Sequence, residues 1–552
     1  MNAKPRIAHI AGSNATVTNS PPLVTSNKAR EKHGLPLLRD RSGAPLRFDA
    51  LRPQRLAAPA SVYVEQFSAH PLERDAAELY GAPDGYLDRA GNFHRERQSN
   101  SDVPVYEITL RPEDGLYPLP YMARQADGRP WDDDCATPNA PASLARQPFY
   151  PDGSRLFEEI DRLGIDGKGL NNLVSSRAEI DFYRVTPPAG YTKGHPPEVL
   201  GEDFFPYRPY HLAASPPRAA LATITNSVQR ILASGRYAGA IWTQGSPRIE
   251  ETAYWLNLLI DTKLPICANS SQRLHGMISN DGDKNLVDST QFIVSRVWAD
   301  ESGCNRMGVV LIADQRIFSA RDVQKADARP GGYVVTGGHG GIVGAVGHEG
   351  PPTLTYIPAR RHTHLSEVNM ARLPAEVPGV RSEQNRIRTT AVPVKNKAGE
   401  LLGSAIPKVA ILKDANYSTE RTSDEAGDDA DLLALTSRNL ERYPLSGFVA
   451  EGHAPYGTIV SATRTRMLKS AVYSGMPVVV VGRGNNEGFT APHGVFIGAR
   501  NLTATKARLL LMACLMRFGC PRPALDPDRP TEPEKTATGA LLAEYQKVFD
   551  SH

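Results

Sequence analysis

The side chains best placed for chemistry lie in Thr243-Gln-Gly-Ser-Pro-Arg-Ile-Glu-Glu-Thr-Ala-Tyr254. An apolar run, Ala238 to Trp242, enters a turn centred on Gly245, and Ser246-Pro247 then opens an amphipathic stretch. A strand, a tight turn with hydroxyls and a helix start together bring a side-chain oxygen beside free backbone N–H groups. That geometry suits a nucleophile site or an anion site. The alternative role for Ser246 is to N-cap the helix, with Pro247 at its first position. A second hydroxyl source is the loop Gly12-Ser-Asn-Ala-Thr-Val-Thr-Asn-Ser20, which follows a short apolar strand, Arg6 to Ala11. Ser13 or Thr16 can act there as a nucleophile or close an ordinary hydroxyl turn. Lys325 can serve as a base if a low-dielectric cleft strips its proton. Otherwise it is a surface lysine paired with Asp322 one helical turn earlier.

Other clusters promise less. Gly337-Gly-His-Gly-Gly-Ile-Val-Gly344 lacks the strand-to-helix context and acidic partner of a dinucleotide site. His339, His348, His362 and His364 match no standard ligand spacing, so neither a metal nor any other cofactor is expected. The 5 cysteines are scattered and read as buried thiols rather than as a disulfide framework.

The elements around these residues alternate. Strands at 238–243, 264–268 and 308–313 interleave with helices at 216–232, 249–260 and 285–298. A later set places strands at 408–412, 447–450, 476–481 and 495–497 with helices near 458–474 and 502–517. This predicts an α/β fold of two domains, with parallel sheets covered by helices. Residues 1–20 and 151–370 would form the first domain, with a helix at 154–163 and a strand near 180–185. Residues 371–405 would form a linker and 406–552 the second domain. Residues 21–150, rich in Pro, Arg, Asp and Tyr, read as an irregular insertion or arm, with a short hairpin near 103–110.

At 552 residues the chain is too long for one core. Its 63 basic and 60 acidic side chains leave a net charge of +3, which argues against a nucleic-acid partner. The start has no apolar h-region and no run reaches membrane-spanning length, so a cytoplasmic protein without a membrane partner is expected.

Several segments resemble the L-asparaginase/glutaminase family. Thr243–Tyr254 is similar to the family's Thr-His-Gly-Thr-Asp-Thr-Met-Glu-Glu-Thr-Ala-Tyr. Ser279–Leu286, Ser319–Lys325, Pro358–Thr363 and Asn501–Arg508 resemble further family motifs in the same order. The resemblance does not cover residues from about 21 to 147. It implies an asparaginase-like fold and hydrolysis of a small-molecule amide by a hydroxyl nucleophile through an acyl-enzyme. It also implies homodimers or homotetramers.

Residue by residue, the resemblance assigns catalysis to Ser246 and Lys325; without a gap it places Asn14 at the nucleophile position, and with a two-residue shift Thr16, with Ser13 as the second choice. Ser13, Gly245, Pro247 and, loosely, Asn416 fall at substrate-binding positions. Pro247 stands where the family carries the aspartate that pairs with the substrate α-ammonium. Proline has neither a charge nor an N–H, so free L-asparagine and L-glutamine are expected to be poor substrates. A linear amide, a cyclic amide or an imide is expected instead. The competing readings are a family member that binds ligand without turnover and an ammonia-producing amidotransferase subunit.

Overall fold

The computed structural model describes residues 4–11, 53–54, 60–64, 82–88, 93–110, 117–118, 124–125, 177–184, 218–246, 248–273, 281–335, 340–347, 350–384, 386–414, 429–484 and 490–552. The chain forms two compact units. One comprises residues 1–216, 241–245 and 269–290, and the other residues 217–240, 246–268 and 291–552.

In the first unit, β1 (Arg6–Ala11) pairs in parallel with β2 (Glu179–Arg184), in register from Arg6 opposite Glu179 to Ala11 opposite Arg184. The stretch expected to be irregular holds an antiparallel sheet. Its strands are Ala60–Val64, Gly85–Leu87, Phe93–His94, Val103–Leu110 and Arg124–Gln125, and Val103–Leu110 pairs on both sides. The helix expected at 154–163 lies outside the described residues.

The second unit begins with α1 (Ala220–Ala233), whose Ala222, Ile224, Val228, Ile231 and Leu232 form one buried stripe at helical spacing. Next come β3 (Gly239–Thr243), α2 (Ile249–Leu259), β4 (Ile266–Asn269) and α3 (Gly282–Ser295). Strands β3 and β4, like helix α3, contribute residues to both units. β5 (Val309–Ala313) pairs in parallel with β4. The chain then turns back on itself. β6 (Arg316–Ser319) is antiparallel to β5, a hairpin joins β7 (Val323–Lys325) to β8 (Tyr333–Val335), and β9 (Ile342–Ala345) returns beside β6. Lys325 therefore sits on a strand, where Asp322 is not one helical turn away.

Residues read as a polar connection contain a hairpin, β10 (Glu376–Glu383) with β11 (Arg386–Pro393). Beyond it lie β12 (Lys408–Lys413), α4 (Ala430–Arg442), β13 (Ser446–Gly452), α5 (Ala462–Tyr473), β14 (Val478–Gly482), β15 (Ile497–Gly498), α6 (Ala504–Phe518) and α7 (Glu532–Ser551). β12, β13, β14 and β15 form an all-parallel sheet in that order. α6 is buried from Ala507 and Leu509 to Met516, and α2 from Thr252 to Leu259, because each packs inside one shared apolar core. Among the described residues, no helix is long and apolar enough to cross a membrane.

Candidate active site

β3 ends in polar residues that a buried strand must satisfy. Ser289 Oγ gives its hydrogen to the Asn285 carbonyl at 2.7 Å, so it accepts from Asn269 Nδ2 at 3.1 Å. That turns Asn269 Oδ1 toward Thr243, whose hydroxyl donates to it at 2.7 Å. The single hydroxyl hydrogen is then spent, so the 2.9 Å contact between Thr243 Oγ1 and His9 Nε2 is donated by the imidazole. His9, fully buried on β1, thus carries a proton on Nε2. The Asn269 carbonyl also accepts from the Gln244 amide at 3.2 Å, and Trp242 Nε1 donates to Gln244 Oε1 at 2.9 Å. These bonds fix the backbone that leads into Gly245. Sequence reading missed this chain, although a histidine inside Ile7-Ala-His-Ile10 was a visible irregularity.

The second unit takes up the motif at Ser246, which is half-buried, as is Gly245 in the first unit. Helix α2 starts at Ile249 and Arg248 holds its N-cap position without a side-chain bond. The capping role considered for Ser246 is therefore not the observed one, because the helix begins two residues later than the Ser-Pro signal suggests. The first turn of α2 is anchored through Glu250. Its carboxylate accepts the Lys325 backbone N–H, so the helix that follows Ser246 adjoins the strand bearing Lys325. The Lys325 ammonium lies 4.4 Å from the Tyr333 ring centre, within cation–π range.

Lys506, on the first turn of α6, reaches the same place from behind. Its Nζ donates to the carbonyls of Glu250 and Ala320, both at 2.7 Å, and lies 5.2 Å from the Tyr254 ring centre. The side chain is 2 % exposed, and burial lowers its pKa to about 8, against the opposing pull of Glu250. Burial likewise raises the Glu250 carboxyl, an effect that Lys506 and the Lys325 N–H partly offset. Lys506 belongs to a motif noticed in the sequence, yet a lysine in a helix reads as a solvated charge. Only the fold reveals that it ties three segments together.

The remaining candidates divide plainly. Ser246, Gly245 and Lys325 are described. Thr16, Ser13, Pro247 and Asn416 lie outside the described residues. Asp281 has the turn-forming role its sequence context suggests, accepting from the Gln272 and Arg273 amides at 3.0 Å each. Among the described residues, no group of three or more His, Cys, Asp or Glu is arranged to hold a metal ion.

Residues 216–333 match the family model described as asparaginase, N-terminal. That segment is similar to the N-terminal part of asparaginases. The matched segment contains Ser246, Glu250 and Lys325 but not residues 1–20. A glutaminase-asparaginase of Acinetobacter glutaminasificans is 29% identical over 163 residues, covering 29% of this chain and 46% of the relative. An L-asparaginase of Bacillus licheniformis is 33% identical over 108 residues, covering 20% of this chain and 32% of the relative. The chain thus spans about half the length, or less, of these curated relatives. A solved Campylobacter jejuni structure, described as a probable cytoplasmic L-asparaginase, aligns with a TM-score of 0.45 at 20% identity. That alignment covers 68% of this chain and 92% of the other.

Proposed function

We propose that this asparaginase-like protein hydrolyses the C–N bond of a small-molecule amide, linear or cyclic, that carries no free α-ammonium group. The observation that carries the reading is the Glu250 link. Inside the family-matched segment, one carboxylate joins the helix after Ser246 to the strand of Lys325. A hydroxyl and an amine on adjoining elements are the parts an activated nucleophile requires.

In this reading Thr16, assigned by the family motif, attacks the amide carbonyl through Oγ. Its proton passes to Lys325 in the amine form, with the Ser246 hydroxyl as relay. The carbonyl π electrons move onto oxygen, where backbone N–H groups near Gly245 stabilise the oxyanion by about 3 kcal/mol per donor. Collapse breaks the C–N bond and the leaving nitrogen takes the proton back. Water then attacks the ester on Thr16, releasing a carboxylic acid and restoring the hydroxyl. Ser13, Pro247 and Asn416 line the substrate side, and the working form is a homo-oligomer.

Pro247 sets the specificity. An α-ammonium brought to this position meets no counter-charge, and loss of a desolvated charge partner costs on the order of 2–5 kcal/mol. The test is amine and ammonia release from a panel of amides, lactams and imides, with L-asparagine and L-glutamine as controls. Turnover of a panel member above the two amino acids is expected. Efficient L-asparagine hydrolysis refutes the specificity argument. Light scattering on the same preparation reports the subunit number.

A further inference from the structure

A cavity of about 320 Å³ opens in the second unit, lined in part by Asn257, Arg321, Arg360, Tyr356 and Ile357. Its polar lining is biased toward donors. Arg321 is 7 % exposed. Its guanidinium gives Nε to the His552 carbonyl, Nη1 to Asp322 at 2.7 Å and Nη2 to Asn501 Oδ1 at 2.7 Å. A guanidinium has five N–H bonds, so two of them are not spent on any described residue. Arg360, among the described residues, donates only to the Asp550 carbonyl. Asn257 is 6 % exposed, and among the described residues its one hydrogen bond is the Val309 N–H received by Oδ1 at 2.9 Å. The amide NH₂ of this nearly buried side chain is left for the cavity.

One carboxylate, Asp322, lines the cavity itself, and each acidic group nearby is paired with an arginine. Asp322 binds Arg321 at 2.7 Å, Asp550 holds Arg500 at 2.8 Å, and Glu367 pairs with Arg361. Among the described residues, Arg360 is thus a partly buried cation with no carboxylate hydrogen-bonded to it. Burial and the neighbouring Arg321 lower its pKa, while Asp322 and Asp550 pull in the opposite direction.

We propose that this cavity is an oxyanion-binding site for a small organic acid. Arg321, Arg360 and the Asn257 amide would grip a carboxylate or phosphate head, and Tyr356 and Ile357 would cover a short apolar body. Two planar guanidinium forks and an amide match the in-plane lone pairs of such a head group. Tyr356 and Ile357 are 57 % and 53 % exposed, which suits a wall that gains cover when a ligand enters. The cavity also exceeds the volume of one inorganic ion, which favours an anion attached to a carbon skeleton.

Calorimetric titration of the full chain tests this at constant ionic strength, with succinate and inorganic phosphate as separate probes against a chloride background. Saturable binding at one site per chain is expected for at least one probe. Preference for succinate identifies a carboxylate head, and preference for phosphate a phosphorylated one. Arg360→Gln and Asn257→Asp are each expected to weaken binding at least tenfold. The second keeps the oxygen that receives the Val309 N–H while replacing the donor by a negative charge. Arg360→Lys, which keeps the charge but loses the fork, replaces Arg360→Gln if that variant does not melt like the parent. Absence of saturable binding by both probes, or binding unchanged in folded variants, overturns the proposal. The readout needs no turnover, so it stands or falls apart from amide hydrolysis.

Discussion

Replacing Lys506 by methionine removes a buried ammonium and keeps most of the side-chain volume. Burial lowers this lysine from 10.5 to about 8. The folded state therefore sheds the proton near pH 8, whereas the unfolded chain keeps it until near pH 10.5. Between those values the unfolded state binds more protons, so stability rises with pH. At about 1.4 kcal/mol per pH unit, the rise attributable to Lys506 totals about 3 kcal/mol. Below pH 8 the same amount acts as a standing cost of the charge. Methionine relieves that cost but leaves the Glu250 and Ala320 carbonyls without their donor, at roughly 1–3 kcal/mol each. At neutral pH the two effects nearly cancel, so a single stability value is uninformative and the slope carries the result. Urea unfolding of parent and Lys506→Met from pH 7.5 to 10.5 should show the parent gaining about 3 kcal/mol more than the variant. Parallel curves would refute the reasoning. Tyrosine and cysteine titrations common to both chains drop out of the difference.

Three further outcomes follow from single sites. His362 is 3 % exposed, and burial lowers it to about 4, with His364 adding to the effect. The unfolded state then binds the extra proton between about pH 4 and 6.5. Acidification across that window should cost about 3 kcal/mol, and a His362→Asn variant should lose about that much less in urea melts at pH 7 and 4.5. Thr243→Val keeps the shape but strands His9 Nε2 and Asn269 Oδ1, so denaturation midpoints should report a loss of roughly 2–4 kcal/mol; a loss below about 0.5 kcal/mol contradicts the relay. Pro247→Asp should raise kcat/KM for L-asparagine at least tenfold in an ammonia assay, and no gain removes Pro247 as the specificity determinant.

Much of the alternating core was legible because its signals are strong. The apolar strands Gly239–Thr243, Val309–Ala313 and Val478–Gly482 are buried throughout or nearly so, and the sequence reading places each within a residue or two. Some of what escaped is antiparallel and short. Strands Arg316–Ser319 and Ile342–Ala345 have four residues each, too few for a period to register. In the hairpin Glu376–Pro393, Val377, Val380 and Val392 are buried among many exposed positions, so the polarity resembles that of a connection. Helix α4 was hidden by the acidic stretch before it, although Asp429 caps it by accepting from the Leu432 amide. α7 carries Thr538, Leu542, Tyr545 and Phe549 on one buried face, a spacing readable but diluted by charges.

The motif singled out Ser246 and Lys325 as candidates, while the helix assumed for Lys325 was wrong because a lone Asp-Val-Gln-Lys has no intrinsic period. The supporting roles of His9, Glu250 and Lys506 were not legible. Each depends on partners far away in sequence, such as Thr243 for His9 and Ala320 for Lys506.

The most direct test of amide hydrolysis is single-turnover acylation with whichever amide of the panel is turned over, followed by intact mass and peptide mapping. An adduct on residues 13–18 is expected, lost or slowed at least a hundredfold in both Ser246→Ala and Lys325→Ala while both variants melt like the parent. Undiminished hydrolysis in the two variants contradicts the account.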